Sequence, residues 1–150
     1  MKLFLIVLTV AFYGMETKAQ SADDSVKAVI TRMFMAMKNA DPELLQTCFA
    51  DSMILQTISH NKEGRMVVIT EKPGAFIGSI GKLSPGNADE QIVFDVVKTD
   101  GPLATAWTPY KFYYKGNFSH CGVNSFQLVR LNSEWKIQYI IDTRRKQGCE

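Results

Sequence analysis

Metal-binding and redox motifs are the first things this 150-residue sequence lacks. It has three cysteines and two histidines. None of them forms a CxxC, an HExxH or a Cys/His cluster at ligand spacing, which excludes the common zinc sites. No metal and no cofactor is expected. Charge of one sign is lacking too: 17 Lys and Arg stand against 15 Asp and Glu. Nothing electrostatic therefore points to nucleic acid or a membrane surface as a partner. The one basic cluster, Arg144-Arg145-Lys146, lies close to the C-terminus and reads as a solvated tail. Past the first dozen residues no run is apolar enough to cross a membrane. Repeats, low-complexity stretches and linkers are absent, which leaves one domain.

What is there begins with a leader. Lys2 is a small basic start, residues 3–12 are an apolar run, and Thr17 with Ala19 makes a small-residue cleavage site. The run is short for an anchor, and no Cys follows it for lipid attachment. Residues 1–20 are read as a signal peptide and 21–150 as the mature domain, exported to the periplasm or secreted and free of the membrane after cleavage. An exported chain can form disulfides, but three cysteines leave at least one thiol over. Cys48 lies among apolar residues and reads as a buried free thiol. Cys121 and Cys149 are the candidate pair, left open because spacing does not set a Cα distance.

Residues 23–39 read as an amphipathic helix with Val26, Val29, Ile30, Met33, Phe34 and Met37 on one face. Asp41 and Pro42 cap and open a second helix running to about residue 50. Strands are predicted over 53–59 and 65–69, and a short glycine-containing helix over 72–82. From residue 91 the pattern turns to strands at 91–99, 103–114, 117–131 and 134–142. Their turns fall at Asp100-Gly101-Pro102, Lys115-Gly116-Asn117 and Asn132-Ser133. In the last strand Trp135, Ile137, Tyr139 and Ile141 alternate with polar residues, so the odd positions are expected inside.

Helices first and a long antiparallel meander after them make an α+β domain. A strongly twisted sheet of this kind can curl around its helices and enclose a cavity. The long hairpin places Tyr110, Tyr114, His120 and Asn124 on the face that should be buried, where a plain core would carry Val, Ile and Leu. A polar inner face points to a cavity that holds something.

Three pieces carry a resemblance that covers nearly all of the mature chain. They are Ile30-Thr31-Arg32-Met33-Phe34 with Asp41-Pro42, then Ala106-Trp107-Thr108-Pro109-Tyr110, then Trp135-Lys136-Ile137 leading to Ile141-Asp142-Thr143-Arg144. With this element order the chain resembles the nuclear transport factor 2-like (SnoaL-like) superfamily, which includes ketosteroid isomerase, scytalone dehydratase and the polyketide cyclases. Ser119-His120-Cys121-Gly122 and Asp142-Thr143-Arg144-Arg145 are similar to exported bacterial members of unassigned function. The resemblance implies a cone, with N-terminal helices packed in a strongly curved antiparallel sheet. It does not imply one activity, because this fold hosts enzymes and non-enzymes.

The candidate site follows from strand parity. His120 points inward with Phe118 and Asn124, and an imidazole in a desolvated pocket can act as general acid or base. Tyr110, Phe112 and Tyr114 share a face. Trp107 alternates outward unless Pro109 forces a bulge that turns it in. Asp51 and Asp95 have no clear direction, Asp142 reads as a salt-bridge partner of the following arginines, and His60 reads as exposed. No inward acid pair of the ketosteroid isomerase type is legible.

Two readings result. In the first, a small, largely apolar ligand is held by Trp107, Tyr110, Phe112, Tyr114, His120 and Asn124. In the alternative, a cofactor-independent dehydratase, isomerase or cyclase uses His120 as base and Tyr110 or Tyr114 as oxyanion donor. A third reading is a homodimer through the outer sheet face, where Thr105, Lys111, Tyr113 and Ser125 are too mixed to favour or exclude it.

Overall fold

The computed structural model describes residues 21–149. The leader expected over residues 1–20 lies outside them. Helix α1 (Ala22–Lys38) starts where the Ser21 side chain accepts the Asp24 amide, at 3.1 Å, with Asp23 and Asp24 in its first turn. Its buried face carries the expected Val26, Val29, Ile30, Met33, Phe34 and Met37. Asp41 caps α2 (Pro42–Thr47), accepting the Leu44 amide at 2.9 Å, and Pro42 sits in the first turn where no N–H is missed. Helix α2 stops at Thr47, because the chain from Phe49 is already extended.

The strands are β1 (Phe49–His60), β2 (Met66–Glu71), β3 (Ala88–Ile92), β4 (Val96–Asp100), β5 (Leu103–Tyr114), β6 (Asn117–Leu131) and β7 (Glu134–Thr143), with α3 (Pro73–Ile80) between β2 and β3. They form one sheet in the order β2-β1-β7-β6-β5-β3, with β4 also paired to β5. The pairs from β4 through β7 are the expected antiparallel meander, but β1 runs parallel to β7, so the sheet is mixed. Lys115 and Gly116 at one hairpin, and Asn132 and Ser133 at another, all have positive φ. That is the backbone two-residue hairpins favour. The concave face closes over α1: Phe34 meets Phe126 edge-on at 6.2 Å, and Leu128, Trp135, Ile137 and Ile140 complete the core.

Three irregularities change which residues face inward. The strand expected over 91–99 is two strands, both paired to β5. Residues 93–95 oppose only Thr108 and Pro109, and Pro109 has no N–H to offer the ladder. The bulge therefore falls on the facing strand, and Trp107 stays on the outer face, 45% exposed. In β6, Phe112 pairs with His120 and Tyr113 with Phe118, so Ser119 is an extra residue. The parity flips beyond it, and Phe118 faces outward against Tyr113 instead of sharing the inner face with His120. In β7, Leu128 pairs with Ile137 and Gln127 with Tyr139, which makes Gln138 the extra residue. Trp135 and Ile137 point inward as expected, but past Gln138 the inward positions are Ile140 and Asp142.

Beyond β7 the chain stays attached to β6. Cys121 and Arg145 exchange both backbone hydrogen bonds, each 2.9 Å, and Cys121 is disulfide-bonded to Cys149 with Cα atoms 5.8 Å apart. Cys48 is the buried free thiol. Closing this 28-residue separation should stabilise the domain by about 3–4 kcal/mol through the unfolded state. Cys149→Ser is expected to lose about that much in urea unfolding, and an unchanged midpoint would show that the tail contributes nothing.

Candidate functional site

The cone encloses a cavity of about 230 Å³. Its wall is apolar, from Met33 and Met37 of α1, Leu55 of β1, Phe76 and Ile80 of α3, Phe112 of β5 and Ile140 of β7. Its polar lining is Glu71, Ser79, Glu90, His120, Asn124, Asp142 and Arg144.

Sheet register brings the polar groups together. Thr108, Asn124, Asp142 and Thr57 are successive partners across β5, β6, β7 and β1, forming one polar row inside the cone. Glu90, Phe112 and His120 form a second row across β3, β5 and β6. The Asn124 amide joins the rows by donating to Glu90 Oε1 at 2.8 Å.

Asp142 is the most constrained member. It is 7% exposed. Its Oδ2 accepts from Arg144 Nε at 2.8 Å and from the Tyr110 hydroxyl at 3.1 Å. Arg144 Nη2 is held in turn by Thr57 Oγ1 at 3.0 Å. Oδ1 has no partner; it and the Thr108 hydroxyl are the buried side-chain polar atoms left unbonded among the described residues. A buried acceptor without a donor costs about 1–3 kcal/mol, and this one belongs to a residue lining the cavity.

The charges shape one another. Burial, reinforced by the charge of Asp142, pushes the Glu90 carboxyl up to about 7, against the opposing Asn124 bond and Arg144 charge. Burial and the Arg144 charge hold His120 below the ordinary imidazole range, with Asp142 opposing and Lys146 adding to the shift. Its Nδ1 lies 3.0 Å from Ser119 Oγ. Burial and the neighbouring carboxylates raise Tyr110. For Arg144, burial opposes the charge, but the hydrogen bond and charge of Asp142 outweigh it and raise the pKa.

Of the residues the sequence nominated, Phe112, His120 and Asn124 line the cavity. Tyr110 is buried behind it. Its ring lies beside Gly122 and its hydroxyl is spent on Asp142 and on the Thr143 carbonyl, 2.9 Å away, so it supports the site and is no free donor. Tyr114 is outside: it ends β5 beyond the cavity wall, 42% exposed, with the Lys115 ammonium 5.4 Å from its ring. Trp107 is outside on the outer face. Asp51, Asp95 and His60 are exposed.

Sequence reasoning missed Glu90, Arg144 and the inward direction of Asp142. An inward acid pair exists after all, formed by Asp142 and Glu90. Strict alternation along β7 hid the first, and placing the strand start at residue 91 hid the second. The Asn132-Ser133 turn offered no hint of the extra residue, although the polar Gln138 between inward Ile137 and Ile140 was a weak one. The salt bridge expected between Asp142 and the following arginines is there, made by Arg144, but Arg144 lines the cavity and is not part of a solvated tail.

No protein-family model matches the sequence, and no curated protein matches it. Solved structures do match. A nuclear transport factor 2-like protein of unknown function from Shewanella baltica is 10% identical, with a TM-score of 0.63 over 82% of this chain and 93% of its own. A protein of unknown function with a cystatin-like fold from Nostoc punctiforme is 14% identical, with a TM-score of 0.65 over 85% and 95%. A presumptive dehydratase of the nuclear transport factor 2-like family from Streptomyces avermitilis is 16% identical, with a TM-score of 0.59 over 82% and 95%. The chain has the nuclear transport factor 2-like fold, an α+β cone. At these identities the likeness is one of fold, and the site must speak for the function.

Two outcomes test this geometry. An added Cβ at Gly122 would strike the Thr143 carbonyl and approach the Tyr110 ring at 2.9 Å. Gly122→Ala should therefore cost about 3 kcal/mol in denaturant unfolding; a neutral substitution would mean the junction is loose. Glu90 binds its proton more tightly folded than unfolded, so its contribution to stability falls as pH rises from the ordinary carboxylate range through about 7. Glu90→Gln should gain on the parent by on the order of 2 kcal/mol between pH 5 and pH 8. The His120 contribution cancels in this difference, and a gap constant with pH would refute the raised Glu90.

Proposed function

We propose that this is an exported binding protein whose cone holds a small, largely apolar molecule by one polar end. The observation that carries the reading is the cluster of Glu90, His120, Asn124, Asp142 and Arg144 at one end of an otherwise apolar cavity. Binding sites are typically apolar enclosures with a few placed polar groups. A volume of about 230 Å³ equals about eight waters at ~30 Å³ each, which sets the ligand at roughly that many heavy atoms or slightly more. Phe112, His120 and Asn124 remain binding residues, joined by Glu90, Asp142 and Arg144. Export is supported by the leader pattern and by the Cys121–Cys149 disulfide, which suits an oxidising compartment.

A second reading, acid–base catalysis by His120, is favoured by an imidazole on the cavity wall whose proton affinity burial and the Arg144 charge lower. The presumptive dehydratase from Streptomyces avermitilis adds a fold-level analogy. In this reading a protonated Glu90, and not Tyr110 or Tyr114, supplies the hydrogen bond to a developing oxyanion.

Native mass spectrometry of the purified protein, before and after mild denaturation, tests the binding reading. A small molecule released on unfolding is expected from the parent and not from Leu55→Trp, which fills the cavity. Equal ligand loading of both proteins would sink it. For the second reading, any turnover found should drop at least about a hundredfold in His120→Ala, and full activity there would remove His120 as base.

A further inference from the structure

We propose that strand β2 is the docking edge for a second copy of this chain. Two β2 strands pair antiparallel about a two-fold axis at Val68 and join two cones through one continuous sheet. This surface is distinct from the outer sheet face, and the inference does not depend on the binding reading above.

Strand β2 ends the sheet: it pairs with β1 on one side and with no strand among the described residues on the other. Its stretch Met66-Val67-Val68-Ile69-Thr70 carries no charge, proline or glycine, and Met66, Val68 and Ile69 are 62%, 56% and 52% exposed. Met66 and Val68 lie on one face of the strand and Ile69 on the other, so both faces are apolar and open. Natural edges are guarded by charge, proline, a bulge or a cover, because an open edge takes up another strand. The opposite border of this sheet has such guards. Asp89, Glu90 and Gln91 lie along β3, α1 packs against β3 and β4, and Lys38 of α1 bonds Asp89 at 3.1 Å. Strand β2 has charge only at its ends, Arg65 just before it and Glu71 as its last residue.

Backbone direction and charge identify the occupant. The Arg65 carbonyl accepts from the Asn61 amide at 2.9 Å, on the β1 side. Alternation in an antiparallel ladder then turns the backbone groups of Val67, Ile69 and Glu71 toward β1, and those of Met66, Val68 and Thr70 outward. With Val68 opposite the partner's Val68, Met66 falls opposite the partner's Thr70, and the outward N–H and C=O groups of these residues all find a complement. The intervening pairs are Val67 with the partner's Ile69 and Arg65 with the partner's Glu71. The strand is thus its own complement, apolar against apolar in the middle and a cation against an anion at both ends. Moving the axis by one residue sets Arg65 against the partner's Ile69 or Pro73 and loses both ion pairs. Within its own chain Arg65 has only a loose, exposed contact with Glu63, at 4.0 Å, so it is open to this exchange. Glu71 also lines the cavity, and the pairing brings the partner's Arg65 to the cavity rim.

Sedimentation velocity of the purified protein, from micromolar to near-millimolar concentration, tests this. One short strand pair is at the small end of specific interfaces, so the parent should pass from monomer to dimer within that range. It should stop at dimer, since a two-fold contact uses up both edges. Val68→Pro removes an outward N–H and leaves the ladder to β1 intact; it should stay monomeric with its circular dichroism unchanged. Arg65→Glu and Glu71→Arg each set like charges opposite one another and should each weaken the dimer at least about tenfold. Mixed in equal amounts, those two variants should associate nearly as tightly as the parent, because each supplies the charge the other lacks. A parent that stays monomeric overturns the proposal, as does a dimer that both charge reversals leave unchanged, which would lie on another surface. Growth beyond dimer, or two weakened variants that do not associate on mixing, overturns it as well. Should Val68→Pro unfold, the charge reversals and their mixture decide alone.

Discussion

A carboxylate brought inside a sheet costs several kcal/mol unless fixed partners replace its water. The interior of this cone is arranged around that constraint. Asp142 faces inward because one extra residue, Gln138, reverses the parity of β7. It can stay there because Arg144 and Tyr110 both bond the same oxygen, Oδ2. The price falls on Oδ1, which keeps no partner in the protein. The field of Asp142 then reaches the remaining polar groups: it adds to the upward shift of Glu90 and Tyr110, and it opposes the downward shift of His120.

Several features with no ligand contact serve this arrangement. Tyr110 reaches Asp142 only because Gly122, its neighbour across β5 and β6, has no side chain to hold the ring and the Thr143 carbonyl away. The backbone exchange between Cys121 and Arg145, followed by the disulfide to Cys149, ties the chain back to β6 directly after Arg144. One bulge, one glycine and one tether thus do for the polar end what the apolar face of α1 does for the core. This division is common where bulges re-aim side chains near sites.

The comparison of sequence with structure is instructive residue by residue. Helix α1, the Asp41–Pro42 cap, the turns at Lys115-Gly116 and Asn132-Ser133, the buried Cys48 and the α+β cone were all legible, because each depends on local chemistry or on uninterrupted periodicity. His120, Asn124 and Phe112 were legible as cavity residues because parity is unbroken between Phe126 and His120. Phe118, two residues before His120, was misplaced because Ser119 breaks that parity. Tyr114 was nominated on strand parity and Trp107 on a bulge at Pro109 that would turn it in, and neither reaches the cavity. Pro109 displaced the facing strand rather than its own, and β5 outruns the cavity wall.

By itself, then, the sequence determined the elements, their order, the apolar faces that drive them together and half of the cavity wall, since periodicity of 3.6 or 2 is written in the chain wherever it runs without interruption. Only the tertiary structure decided the chemistry of the polar end. Whether Asp142 is a surface ion or a buried acceptor depends on a single inserted residue in a ladder. Whether Glu90 shares its space depends on a strand four places away in the sheet order from β1. A bulge is defined by the partner strand, and a field by everything packed around it, so neither can be read from one strand alone.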